Sequence, residues 1–201
     1  MANSDLTGKR VAILATDGVE QVELTEPRDA LVRAGAQTVV VAPKAGAIRA
    51  WQHDHWGDEI PVDETLDQAR VDDFDALLIP GGVMNPDRLR MDERAVTFVR
   101  GFVNAAKPVA SICHGPWLLV EADVVRGRTL TSYPSLRTDI RNAGGDWVDR
   151  EVVNDAGLVT SRKPDDIPAF SRKMIEEFAE GSHEARRVAE RQQERRPETR
   201  L

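Results

Sequence analysis

Short apolar, β-branched runs alternate along most of the chain with stretches in which apolar residues recur every three or four positions. That alternation marks βαβ units feeding a parallel sheet. Residues 10–15 (RVAILA), 38–42 (TVVVA), 75–79 (DALLI) and 109–112 (VASI) predict four buried strands. Between the first two, Leu24, Leu31 and Ala34 share one helical face, with Pro27 expected in the first turn and Gly35 as a left-handed cap. After the third strand comes Pro80-Gly81-Gly82, then a helix with Asp92 as N-cap and Val96, Val99, Phe102, Val103 and Ala106 on one stripe.

The second half predicts a short strand over 128–132, a helix over 134–143 closed by Gly144-Gly145, and a hairpin pair over 147–153 and 158–161. An amphipathic helix over 167–180 should turn Phe170, Met174 and Phe178 inward. Residues 46–63 read as a loop or small hairpin. The sum is an α/β protein, a three-layer αβα sandwich of flavodoxin-like type with a mostly parallel central sheet. Residues 1–181 form one domain. In 182–201 arginines alternate with glutamates, which predicts a solvated charged tail.

Composition narrows the function. The 201 residues carry a formal net charge of −7, which argues against a nucleic-acid-binding surface over the main domain. No apolar run reaches the ~18 residues of a membrane span, and residues 1–5 lack the pattern of a secretory signal. A single cysteine forms no internal disulfide and excludes a multi-cysteine zinc or iron–sulfur site, so a cytoplasmic setting is expected.

That cysteine, Cys113, follows the fourth strand, and an apolar helix comes after His114-Gly115-Pro116. A nucleophile there lies at the carboxyl end of a parallel strand, where open α/β sheets bind ligands. Nearby helix N–H groups favour the reactive thiolate, and the turn resembles a hydrolase nucleophile elbow with cysteine in place of serine. A lone cysteine can also be a small buried hydrophobe, but the flanking residues favour the nucleophile. His53 and His55 form a cluster with Asp54, Asp58 and Glu59, and their i, i+2 spacing would place the two histidines on one strand face as metal ligands. A polar loop at the site rim, with Trp51 and Trp56 at a subunit contact, is the preferred reading, and no metal is assigned. Trp117 is expected in the core or pocket wall, and Tyr133 beside the cleft.

Ala110-Ser111-Ile112-Cys113-His114-Gly115-Pro116 resembles the nucleophile motif of the PfpI family, the intracellular protease I and deglycase-like proteins of the class I glutamine amidotransferase-like superfamily. Supporting motifs are Glu20, Ile79-Pro80-Gly81-Gly82, Gly127-Arg128 with Thr131-Ser132-Tyr133-Pro134, Asn142-Ala143-Gly144, and Thr160-Ser161-Arg162 with Pro164-Asp165-Asp166. Together they span residues 9–180. The resemblance implies that Glu20 lies near the sulfur as a protonated acid supporting the thiolate. It implies an oxyanion hole from the backbone N–H groups of Gly82 and His114, and His114 as general base or acid. Asp87 would orient His114 from a neighbouring subunit, making a homodimer or larger homo-oligomer the active unit. The late His-x-Glu pair of glutamine amidotransferases is missing, since His183 is followed directly by Glu184.

The expected activity is that of a cysteine hydrolase protecting against stress. It would act without a cofactor on small carbonyl compounds, glycated proteins or peptides, as deglycase, glyoxalase-like enzyme or peptidase. The alternative is a redox sensor or chaperone-like stress protein in which Cys113 is oxidised without turnover.

Overall fold

The computed structural model describes residues 5–181, so the tail over 182–201 and its His183 lie outside the described residues. In chain order, β1 (Arg10–Leu14) leads to α1 (Gln21–Arg33) and β2 (Gln37–Ala42). Next come β3 (Ala47–Gln52), β4 (His55–Pro61), β5 (Glu64–Thr65) and β6 (Ala76–Ile79). α2 (Met84–Leu89) and α3 (Glu93–Asn104) precede β7 (Val109–Ile112) and α4 (Pro116–Glu121). β8 (Thr129–Leu130), α5 (Arg137–Asn142), β9 (Asp146–Trp147), β10 (Val152–Asp155), β11 (Leu158–Ser161) and α6 (Ile167–Glu180) complete the described fold.

Seven strands form the main sheet in the order β10-β11-β7-β6-β1-β2-β5. Every pairing in it is parallel except that of β10 with β11. Alternation along β1 divides the core, because successive strand residues face opposite ways. Val11 and Ile13 pack on the side of α1 and α6, among Leu24, Leu31, Phe170, Met174 and Phe178. Ala12 and Leu14 pack on the other, with Leu77, Ile79, Phe98, Phe102 and Leu118. Helices thus cover both faces, giving the three-layer α/β sandwich. No helix among the described residues is long and apolar enough to cross a membrane.

Several local expectations shift for physical reasons. α1 begins at Gln21, so Pro27 sits inside the helix rather than in its first turn. Having no N–H, Pro27 cannot donate to the carbonyl of Glu23 one turn earlier. Asp92 does cap α3, accepting from the Arg94 N–H at 3.0 Å. The buried stripe there is Ala95, Phe98, Val99 and Phe102, rotated from the predicted one by the packing of Phe98 and Phe102 on Phe74. Trp147 does not begin the hairpin of β10 and β11. It pairs instead through β9 with β8 and buries its ring with Leu130 and Ile140.

Residues 47–61 form a hairpin, β3 with β4, whose register sets Trp51 opposite Trp56. His53 lies in its turn with φ of +57°, and His55 opens β4 with its ring on Asp54 at 2.8 Å. The two histidines therefore do not share a strand face. Among the described residues, no group of three or more His, Cys, Asp or Glu is arranged to hold a metal ion.

Candidate active site

β7 carries four buried residues and ends at Ile112, and Cys113 follows with φ of +62°. That left-handed conformation costs a residue with a Cβ about 1–2 kcal/mol, so the turn must be held from outside. The Cys113 N–H donates to Ser161 O at 3.1 Å, and Cys113 O accepts from the Tyr133 N–H at 2.8 Å. Gly115 leaves no room for a side chain: a Cβ would come within 2.5 Å of Ser111 Oγ and 2.7 Å of Ile79 O. The helix starts only at Pro116, three positions beyond the cysteine. The amides that reach the thiol are those of Gly82 and His114.

The carboxyl beside the sulfur belongs to Glu23, not Glu20. α1 buries Glu23, Leu24, Pro27 and Leu31 on its sheet-facing side, so Glu23 points inward from the first turn. It is fully shut from solvent, its Oε2 accepts from the Gly81 N–H at 2.9 Å, and its carboxyl interacts with the Cys113 thiol. Its second oxygen, Oε1, makes no directed hydrogen bond. Burial pushes this carboxyl up to about 8, so it is largely protonated at neutral pH. Glu20, at the N-cap position, instead turns toward the hairpin. Its Oε1 accepts from the His53 N–H at 3.4 Å, and its backbone bridges to Trp51. Partial burial raises the Glu20 carboxyl too, against the lowering effect of the His53 N–H.

Burial and the facing Glu23 carboxylate push the Cys113 thiol up, while the Gly82 and His114 N–H groups pull it down. The part due to Glu23 requires that carboxyl to be ionised. Once protonated, Glu23 ceases to repel the thiolate and can donate a hydrogen bond to it. Gly82 adopts φ of +77°, and a Cβ there would meet Glu20 N and Gly18 O, each at 2.7 Å. Only glycine permits this turn to approach the loop before α1.

His114 Nδ1 lies 3.2 Å from Cys113 Sγ. Its Nε2 lies 3.2 Å from Ser135 Oγ. Tyr133 stacks on the ring at 4.7 Å between centroids, and Trp117 meets it edge-on at 5.3 Å. Trp117 is itself held by its Nε1–H, which donates to Asp139 Oδ2 at 2.7 Å. Burial lowers the His114 imidazole, which keeps the ring neutral near pH 7. Asp87 lies exposed on α2. Among the described residues, the side-chain oxygen at His114 Nε2 comes from Ser135.

The structure thus brings Cys113, His114 and Gly82 together, adds Glu23 and Ser135, and sets Glu20 one turn aside. Glu23 had a signal in the sequence: it lies four and eight positions before Pro27 and Leu31, a charge within an apolar stripe. Ser135 had none, since its contact arises from a loop returning 21 residues after His114.

Fold and site define a class: an α/β sandwich in which an inner parallel strand ends in a strained cysteine, faced by a buried carboxyl, an imidazole and two amides. The chain belongs to the DJ-1/PfpI family, whose pattern it matches over residues 9–177. It is 45% identical over 168 residues to Protein/nucleic acid deglycase 2 of Escherichia coli, covering 83% of this chain and 96% of that one. It is 46% identical over 170 residues to General stress protein 18 of Bacillus subtilis, covering 84% and 96%. Among solved structures, Drosophila melanogaster DJ-1beta superposes with a TM-score of 0.78 at 31% identity, over 85% of this chain and 90% of that one.

Proposed function

We propose that this protein is a cysteine hydrolase that removes or repairs reactive carbonyls and their adducts, with Cys113 as nucleophile. One observation carries the reading: a thiol on a strained turn is met at once by an acid, an imidazole and two amide N–H groups. A thiol that served only as core packing would need none of these. The kinship with a protein named deglycase supports a carbonyl-derived substrate, and the kinship with one named general stress protein supports a protective role.

In the proposed reaction the Cys113 proton passes to His114 Nδ1 and the sulfur bonds to the substrate carbonyl carbon. The oxygen takes the displaced electron pair and accepts hydrogen bonds from the Gly82 and His114 N–H groups. Glu23, protonated, donates to the sulfur in its thiolate form. With methylglyoxal, return of the proton from His114 to the oxygen gives a hemithioacetal; moving its C1 proton to C2 through the enediolate gives a lactoyl thioester, which water cleaves to lactate and the free thiol. With an amide, including the lactoylamide that a methylglyoxal adduct of an amine becomes when a proton moves between its two oxygen-bearing carbons, collapse expels the amine, which takes that proton, and water then releases the acyl group left on sulfur. The site needs no cofactor for these steps.

The test is consumption of methylglyoxal, and deglycation of a methylglyoxal-treated peptide, by the native protein and by Cys113→Ala. Turnover that disappears in the variant supports the reading. A native protein that consumes neither substrate, while peroxide converts Cys113 to its sulfinic acid, overturns it in favour of a sensor.

A further inference from the structure

We propose that Ser135 sets the tautomer of His114, holding the resting ring in its Nε2–H form so that a bare Nδ1 faces the Cys113 thiol. The inference deepens the reading above and rests on Glu23 acting as a protonated donor toward the sulfur.

A neutral imidazole carries one N–H, and its position follows from what each nitrogen touches. On one side, Nδ1 lies 3.2 Å from a sulfur that already faces the Glu23 carboxyl. If Glu23 donates to that sulfur, the thiol's own hydrogen needs an acceptor, and Nδ1 supplies the lone pair. The ring hydrogen then belongs on Nε2, whose partner must accept. Ser135 Oγ, 3.2 Å away, is placed to do so. The hydrogen bonds run in one direction: Glu23 to sulfur, sulfur to Nδ1, Nε2 to Ser135.

The aromatic neighbours cannot make this choice. Tyr133 stacked on the ring and Trp117 at its edge fix the ring plane, but a π-face contact is nearly the same for either tautomer. A carboxylate at Nε2 would also select the Nε2–H form, while favouring the imidazolium by its charge. A hydroxyl orients the ring without adding charge, in keeping with a ring that burial already holds neutral. Ser135 is thus a positioning residue, acting on the thiol through His114.

The test uses the full chain with ¹⁵N-labelled histidine, the His114 signals being those lost in His114→Gln. In the native protein near neutral pH, the ring shifts should report a protonated Nε2 and an unprotonated Nδ1. Ser135→Ala should mix the two tautomers, and Ser135→Thr should restore the native pattern. Cys113 alkylation by iodoacetamide should slow about three- to tenfold in Ser135→Ala, the net effect of one hydrogen bond, and return to within about twofold in Ser135→Thr. A native ring protonated on Nδ1 overturns the proposal, as does a Ser135→Ala protein unchanged in both readouts. Should the native protein show the Nε2–H pattern but consume no carbonyl, the tautomer assignment is supported and the enzymatic reading alone fails.

Discussion

Glu23 and Cys113 meet across the seam between α1 and the turn after β7, brought together from positions ninety residues apart. Both are buried, and they cannot ionise independently: charge on one raises the cost of charge on the other. The two groups therefore titrate as a coupled pair: Glu23 stays protonated, so that a negative charge on the sulfur is the one charge the pair has to carry.

Replacing Glu23 by Gln should separate its shape from its acidity. The amide still fits beside the Gly81 N–H but is a weaker donor to sulfur than a carboxylic acid. Alkylation of Cys113 near neutral pH and turnover of methylglyoxal should both fall by about 10²-fold, at the lower end of what acid–base groups contribute. Stopped-flow alkylation rates in Glu23→Gln beside Glu20→Gln make the comparison. A larger loss in the Glu20 variant would return the role to Glu20.

The raised Glu23 carboxyl also links stability to pH. Its folded value of about 8 exceeds the ordinary 4.5, so the folded protein binds more protons than the unfolded chain between those values. The stabilisation linked to that proton is fully present below about pH 4.5 and is lost as pH rises through about 8. Urea unfolding across that window should show a contribution of up to about −1.4 kcal/mol per pH unit from this group. Glu23→Gln should remove it, and an identical slope in the variant would count against the assignment.

Strain at Cys113 predicts an unusual ranking of variants. With φ at +62°, glycine suits the position better than alanine. Cys113→Gly should be more stable than Cys113→Ala by about 1 kcal/mol, the reverse of the order in an ordinary strand. Chemical denaturation of the two inactive proteins measures this directly, and equal midpoints would mean that the turn relaxes.

Gly82→Ala should damage both stability and turnover. The new methyl would meet the backbone of Gly18 and Glu20 at 2.7 Å, so the loop carrying the Gly82 N–H must shift. Loss of one oxyanion donor typically lowers kcat by about 10²–10³-fold, and a thermal melt run beside the kinetics should show a lower Tm. A variant with native kcat would exclude Gly82 from the oxyanion site.

The sheet was legible because its strands are short, continuous apolar runs, and burial on both faces permits little else. Cys113, His114 and Gly82 were legible because local sequence dictates a strand end and a turn. Which acid meets the sulfur, Glu20 or Glu23, is not legible from motif position, which does not say which way a helix faces. The helix phase decides, and Leu24 with Leu31 carried that information. The strand propensity around Trp147 suggests a hairpin, but its ring packs in the same core cluster as Ile140 of α5, and its backbone pairs with β8. Ser135 could not be read, because a contact made by a returning loop leaves no periodic trace.

Around the thiol, backbone packs on backbone. A side chain at Gly81 would meet Ile112 O at 2.8 Å, one at Gly82 the amide of Glu20, and one at Gly115 the carbonyl of Ile79. No change of rotamer can relieve such contacts. A change of side-chain size is therefore tolerated at exposed positions such as Val83, next to Gly82, whereas Tyr133, though partly exposed, is tied to the His114 ring. A lineage built on this scaffold can change what it admits to the thiol far more readily than how the thiol is held.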